Sequence, residues 1–245
     1  MSNQSALSGT GPQTVAQGIF SESSLQLHRI GDMTHTNDGR KFRYCKVGDT
    51  ALVPGKLYQA PAEDTTNFQN LTVTAPTAGD TSIVTTSTVT LTVNQLAGGF
   101  LVIESATTNA GQLLRIASHA AATAAVVTIV LDDPVLYTPT GTVQIDMHPH
   151  PYNGVIVTPT TTTSTPVGFA VYKVTAEYYG WLCTHGPTSA LAQGTVTVGD
   201  GVIAAETTTT GAVVSQGNDT HDAEVAYALT GIASGDYGIV FATID

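Results

Sequence analysis

The sequence has little charge and almost no cysteine. Only 11% of its 245 residues are charged, and two are cysteines. Two cysteines in so long a chain cannot supply the disulfide framework that stabilises small secreted domains. The low charged fraction excludes a disordered polyelectrolyte, and the length suffices for one large domain or two modest ones. Stability must therefore come from packed apolar cores.

Cations are scarce and unevenly placed. The net charge is −11, and six of the eight Lys and Arg residues lie in the first quarter of the chain: Arg29, Arg40, Lys41, Arg43, Lys46 and Lys56. The acidic remainder opposes binding to nucleic acid or to an anionic membrane, whose phosphates need cations. For the basic quarter two interpretations are open: it docks on an acidic protein surface, or its charges are merely solvated.

Segments that would direct the chain to a membrane are also missing. No apolar run is long enough to span a bilayer, and the N-terminus lacks the charged and apolar regions of a signal peptide. We therefore expect a chain that is made in the cytoplasm and has no membrane partner.

The sequence lacks the common catalytic motifs. It contains no nucleophile elbow, no phosphate-binding loop and no cysteine pairs at zinc spacing. We therefore expect a protein that is not an enzyme and uses no cofactor.

Several polar clusters are weaker candidates for metal binding. His148 and His150 lie two residues apart near Asp146, but the intervening prolines favour an extended connector over a metal site. Asp132 and Asp133 precede a proline, as in a turn, although a calcium site is the alternative. A further acidic cluster is interpreted as a solvated loop; it comprises Asp219, His221, Asp222 and Glu224.

The two cysteines lie in similar segments, residues 45–55 and 183–194. Each segment follows an aromatic strand and has glycine at matching positions. We interpret them as two strand-turn-strand pieces that pair in space; the alternative is chance similarity, since the match is short and no longer repeat supports it. A Cys45–Cys183 bridge is then conceivable, but two buried free thiols are favoured. His185 beside Cys183 suggests a thiol–imidazole dyad only if the strand is regular there.

The dominant pattern in the sequence is a series of short stretches in which Val, Ile or Leu alternates with Thr. This period of two predicts strands, because the branched Cβ of Thr favours extended backbone. The best helical candidate, residues 116–125, has no clear apolar stripe. The sequence therefore predicts an all-β fold with less than about a tenth of helix.

Turn signals and composition divide the chain into four parts. Residues 1–24 form a polar arm, anchored by Leu7, Val15, Ile19 and Phe20, that we expect to become ordered on a partner. Residues 25–60 form a β-hairpin. Residues 61–150 form a β-sandwich-like domain, whereas residues 151–245 form a small β-barrel that is completed by the hairpin.

The C-terminal part carries a resemblance to a known class of protein. Its turn glycines alternate with short Val-rich runs at residues 198–202, 211–213, 225–229 and 234–240, after Gly180, Trp181, Gly186 and Pro187. This pattern resembles the small β-barrel proteins that decorate the capsids of tailed bacteriophages. The middle domain is an addition to that pattern, and it is consistent with a role in adhesion.

The resemblance implies a structural protein on the capsid surface of the virion. Its partners would be the major capsid protein and further copies of itself. The alternative is a receptor-binding fibre or adhesin domain that recognises a glycan of the host surface, with Trp181, Tyr178 and Tyr179 as a sugar platform rather than as core. Five residues are the candidates for partner binding: Phe20, Arg40, Lys41, Arg43 and Trp181.

Overall fold

A computed structural model describes residues 17–217 and 223–245. Strands make up 43% and helix 2% of the structure, which confirms the all-β prediction. The chain divides into two compact units. Unit 1 comprises Met1–Ala62 and Pro151–Asp245, and unit 2 comprises Glu63–His150.

The described residues form eighteen strands and one helical turn. The first part of unit 1, which precedes unit 2 in the sequence, contains β1 (Met33–His35), β2 (Lys41–Val47) and β3 (Leu57–Gln59). Unit 2 contains α1 (Thr65–Phe68), β4 (Leu71–Thr72), β5 (Ser82–Val84), β6 (Val89–Leu91), β7 (Phe100–Ser105), β8 (Leu113–His119), β9 (Ala122–Ala125), β10 (Thr128–Leu131) and β11 (Gln144–His148). Unit 1 resumes with β12 (Asn153–Val157), β13 (Pro166–Ala170), β14 (Tyr179–Leu191), β15 (Gly201–Ala204), β16 (Val213–Ser215), β17 (Ala226–Ala228) and β18 (Tyr237–Thr243).

Five strands of unit 1 close into a barrel in the order β2, β12, β3, β13 and β14, and β14 then pairs with β2. Closure leaves no exposed sheet edge among these strands. The interior is filled by side chains from every strand, among them Cys45, Tyr58, Val155, Val167 and Leu182. The Tyr58 hydroxyl satisfies its polar end by donating to the carbonyl of Ala51 and accepting from the amide of Val53.

The predicted hairpin is wrong in its second half. Residues 36–40 form the expected turn, but it joins β1 to β2. The strand β3 pairs with β12 and β13 instead of with β2. A parallel β2–β12 pair separates the two strands that were predicted to be neighbours. Sequence alternation locates strands but does not specify a partner that lies some hundred residues away.

The long strand β14 continues through Gly186 and Pro187, which the sequence suggested as a turn. Gly186 has φ +94°, and a Cβ there would lie 2.9 Å from Cγ of Arg40, so glycine is required. Pairing with β2 ends at His185, and beyond it β14 pairs with β18. Pro187 thus lies where only one edge of β14 is paired, a position that tolerates proline.

The second half of β14 begins a sheet in the order β14, β18, β17, β15 and β16. The sheet curls back on itself, so that its first and last strands meet. The amide of Gln193, just after β14, donates to the carbonyl of Val213 of β16 at 2.8 Å. Its interior contains six alanines and five valines, together with the larger side chains of Leu57, Phe169 and Ile232.

A segment of residues 17–30, here called the covering segment, lies on the outer side of β2 and β14. It buries the side chains that point away from the barrel interior, namely Phe42, Tyr44, Trp181 and Cys183. Gln17 is central to this contact. Its Oε1 accepts from the Tyr44 hydroxyl at 2.9 Å, and its main-chain carbonyl accepts from Nε1 of Trp181 at 3.1 Å.

The covering segment corrects one prediction. The last residues of the predicted arm belong to the fold, since Gln17 and Ile19 are buried and Ser23 pairs with Tyr179. The anchors Leu7 and Val15 lie outside the described residues.

Unit 2 contains a six-stranded sheet in the order β4, β11, β7, β8, β10 and β5, and a two-stranded sheet of β6 and β9. Both sheets contribute to one apolar core, which includes Leu91, Leu101, Ile116, Ile129 and Ile145. The nearly continuous apolar sequences from Phe100 to Ile103 and from Val126 to Leu131 predict strands that are buried on both faces. That prediction is wrong, because their residues alternate between buried and accessible positions.

Replacing Gln17 by alanine tests the covering segment. The Tyr44 hydroxyl and the carbonyls of Ser21 and Tyr179 would each lose a partner. We expect the free energy of unfolding to fall by about 1–3 kcal/mol, because three hydrogen bonds made by a buried side chain would be lost. Urea unfolding followed by the fluorescence of Trp181, the single tryptophan, measures the change.

The matched control is Gln26→Ala. The Gln26 side chain is exposed and donates only to the carbonyl of His28, so its loss should change stability by less than about 0.5 kcal/mol. Equal midpoints for the two variants would contradict a structural role of Gln17.

Candidate functional site

Trp181, a predicted partner-binding residue, lies in the interior. Its side chain is 2% exposed, and its ring contacts those of Tyr44 and His28 at centroid distances of 5.0 and 5.2 Å. Tyr179 stacks on Tyr44 in the same cluster. These rings fill the space beneath the covering segment, so the Trp181 indole offers no platform to a glycan in this conformation.

The predicted basic residues are largely occupied within the chain. Arg43 forms a two-pronged ion pair with Asp245, at 2.7 and 3.1 Å, and donates to the carbonyl of Gly31. Arg40 pairs with Asp38 at 2.9 Å and lies over the ring of Phe42. These pairs neutralise two of the three cations, whereas the described residues give Lys41 no ion pair.

Phe20, the remaining predicted contact, is accessible. Its side chain is 49% exposed, whereas its neighbour Ile19, also in the covering segment, is buried against β2 and β14. A single exposed apolar side chain is common on soluble proteins, so Phe20 alone does not define a site.

The cysteines are free and buried, as favoured by the sequence. The aromatic strands that lead into the two cysteines pair with each other, and in this register Cys183 lies opposite Phe42 whereas Cys45 lies opposite Gly180. This register places the thiols several residues apart, on opposite sides of the paired strands. Burial raises the pKa of Cys45 to about 12 and that of Cys183 to about 11, which opposes thiolate chemistry.

His185 forms no dyad with Cys183. The thiol donates to the main-chain carbonyl of His185, at 3.5 Å. The imidazole Nδ1 instead lies 3.0 Å from the carbonyl oxygen of Asp245, and the ring packs edge-on against Phe241.

The metal candidates are not assembled into a site. Nδ1 of His148 lies 2.7 Å from the carbonyl oxygen of Pro149, whereas His150 stacks against Phe100. Asp132 pairs with Arg115, and Asp133 is exposed. Within residues 17–217 and 223–245, no three His, Cys, Asp or Glu side chains are grouped to hold an ion. Asp219, His221 and Asp222 lie outside the described residues.

The strongest candidate surface is the outer side of β14, β17 and β18, here called the apolar face. It consists of Pro187, Tyr227, Leu229, Tyr237, Ile239 and Phe241. Pro187, Phe241 and Tyr227 form one row across the three strands. In the next row the amide of Leu229 donates to the carbonyl of Ile239 at 2.9 Å. The face is therefore one continuous surface.

Burial on these strands is the reverse of the usual arrangement. The side chains that point inward are mostly alanines: Ala190, Ala226, Ala228 and Ala242. The large ones point outward, with Tyr237 54%, Ile239 49% and Tyr227 46% exposed. A sheet with one solvated side normally places its large apolar residues inside. A contiguous apolar surface of this kind is typical of a protein interface.

Residue types do not suggest catalysis at the apolar face. Its titratable neighbours are Glu224, which raises the pKa of Tyr227 by accepting a hydrogen bond from it, and His185 beside Phe241. The sequence analysis missed this face. The signal was present in the alternation of alanine with Tyr227 and Leu229, but alternation alone does not identify the side that meets solvent.

Comparison with protein-family models, with curated proteins and with solved structures finds no match for this chain. Among the residues that the structure describes, no helix has the length and apolar character needed to cross a membrane.

The Arg43–Asp245 pair predicts a pH-dependent stability. Burial raises the pKa of Asp245, but hydrogen bonds from Arg43 and Thr184 and the Arg43 charge outweigh it, so the pKa is lowered overall. A lowered folded-state pKa stabilises the fold above the unfolded value of about 3.9, and the contribution is lost as pH falls through the folded value.

We therefore expect Asp245→Asn to be less stable than the parent at pH 7 by no more than about 1 kcal/mol, since the pair is partly solvated. The difference should disappear at acid pH. Urea midpoints measured across the pH range test this, with Asp133→Asn as the control that should match the parent throughout. A difference that persists unchanged in acid would contradict the role of the carboxylate charge.

Proposed function

We propose that this chain is a non-enzymatic structural protein of a tailed-bacteriophage virion, which decorates the capsid by binding the major capsid protein. The observation that carries the proposal is the apolar face. Tyr227, Leu229, Tyr237 and Ile239 are about half exposed in the isolated chain. Burying the exposed part of each would therefore gain about half of the value for a fully buried side chain, or roughly 1 kcal/mol. A face of this composition favours a protein partner over a small molecule.

The way the face is built supports a rigid docking role. The strand β18 is hydrogen-bonded to β14 on one side and to β17 on the other. The strand β14 is also one of the five strands of the closed barrel. A rigid surface loses little conformational entropy on binding. Many copies on a repeating shell also raise the effective affinity when each contacts more than one subunit.

The basic quarter is a second, smaller contribution to the proposal. Arg29, Lys41 and Lys56 form no ion pair among the described residues, whereas Arg40, Arg43 and Lys46 are paired within the chain. A screened electrostatic attraction would therefore depend mainly on the three unpaired cations, with the apolar face supplying the affinity that salt does not weaken.

Replacing Tyr227, Tyr237 and Ile239 by threonine tests the apolar face. Threonine keeps the preference for extended backbone, so the fold should persist, while the apolar area offered to a partner falls. We expect at least a tenfold loss of affinity for phage heads that lack this protein, which corresponds to about 1.4 kcal/mol. Co-sedimentation with purified heads measures binding.

A matched control replaces three exposed apolar residues outside the face, Leu25, Val93 and Leu136, by threonine, and it should bind as the parent does. Parental binding by the triple variant of the face would contradict the proposed docking surface. Absence of the chain from virions would overturn the proposed function. Density on the tail tip would instead favour the adhesin alternative.

A further inference from the structure

Unit 2 carries a cleft on the outer side of its six-stranded sheet. The cleft has a volume of about 230 Å³ and is lined by Glu63, Asp64, Gln69, Phe100, Val102, Leu113, Asp146, Met147 and His148. Drug-sized ligands occupy sites of about 300–1,000 Å³. This cleft therefore suits one long side chain better than a whole small molecule.

The floor of the cleft is apolar. Val102 of β7 lies opposite Leu113 of β8, and Phe100 precedes it on the same side of β7. Leu113 is 65% exposed, whereas its neighbour Leu114 is buried in the core. A methylene chain laid on this floor would remove apolar surface from water on both partners.

The rim of the cleft is acidic, and its carboxylates are held in place by hydrogen bonds. Asp146 of β11 accepts a hydrogen bond from the main-chain amide of Asn70 at 2.7 Å, which holds the chain that follows α1 against the six-stranded sheet. Asp64 caps α1 by accepting from the amides of Thr66 and Asn67. Glu63 accepts from the side-chain amide of Gln69.

Hydrogen bonds lower the pKa of one rim carboxylate. Burial raises the pKa of Asp64, but its hydrogen bonds with Asn67 and Thr66 outweigh this effect, so the pKa is lowered overall. His148 also lines the cleft, and its Nδ1 lies 2.7 Å from the carbonyl oxygen of Pro149.

The charge of unit 2 is strongly one-sided. Residues 63–150 contain seven carboxylates and a single Lys or Arg, which is Arg115. Arg115 pairs with Asp132 at 3.2 Å, and Asp132 does not line the cleft. An anion would be repelled by this rim, whereas a cation would be attracted.

We propose that the cleft binds the side chain of a lysine or arginine presented by a partner protein. The alkyl stem would lie on Val102 and Leu113, with the charged group at the carboxylates of the rim. Long basic side chains bind in this way because their stems are apolar and their ends are charged. The inference concerns unit 2 alone and stands independently of the virion role.

Titration of the full chain with Nα-acetyl-arginine amide and Nα-acetyl-lysine amide tests the proposal by NMR. The methyl groups of Val102 and Leu113 are reporters inside the cleft. We expect their signals to shift in a saturable way in the millimolar range, and the shifts to weaken as salt screens the attraction. Nα-acetyl-citrulline amide, which is neutral and of similar shape, should bind at least about fivefold more weakly.

Two variants separate charge from shape. Glu63→Gln removes one rim charge and Leu113→Asn removes part of the floor; each should weaken binding at least about threefold. Asp133→Asn removes an exposed carboxylate that does not line the cleft and should leave binding unchanged. Dispersed spectra of all three variants establish that they fold.

Three outcomes would overturn the proposal: absence of shifts in the reporters, equal binding of the citrulline compound, or shifts confined to signals outside the cleft. None of these outcomes bears on the binding of phage heads by the apolar face, so each proposal is tested independently of the other.

Discussion

The pairing of β14 with β2 is the constraint on which unit 1 depends. It closes the barrel on one side, and the same strand extends past Gly186 to form the first strand of the C-terminal sheet. A strand of thirteen residues thus belongs to two cores. The positive φ of Gly186 allows the strand to change partners without ending.

The covering segment adds a third layer to this pairing. Strands β2 and β14 present Cys45 and Leu182 to the barrel interior and Phe42 and Trp181 to the opposite side. Both sides are apolar because both are covered, one by the barrel and the other by residues 17–30. Burial on both sides leaves Trp181 to contribute to stability rather than to recognition.

Much of the fold could be predicted from local pattern, and the failures have a common cause. Alternation identified β2, β11 and most other strands, and the similarity of residues 45–55 and 183–194 predicted that β2 and β14 pair. The parallel β2–β12 pair could not be predicted, because nothing local to either strand encodes a distant partner.

The candidate site was harder to predict than the fold. An aromatic-rich stretch around Trp181 is a reasonable guess for a binding surface, but accessibility depends on what covers it, and Gln17 lies 164 residues away along the chain. The apolar face was missed for the same reason, since the sequence does not show which side of a strand is exposed. The order Ala226, Tyr227, Ala228 and Leu229 is compatible with either side facing solvent until the curl of the sheet places the alanines inside.

Coupling of two cores through one strand makes unit 1 a single cooperative body that presents a rigid apolar face. Native-state hydrogen exchange tests this most directly. The account predicts that amides in both halves of β14, before and after Gly186, exchange together with those of β2 and only by the slowest, global opening of unit 1. Fast, independent exchange of the half that pairs with β18, while the half that pairs with β2 stays protected, would contradict it.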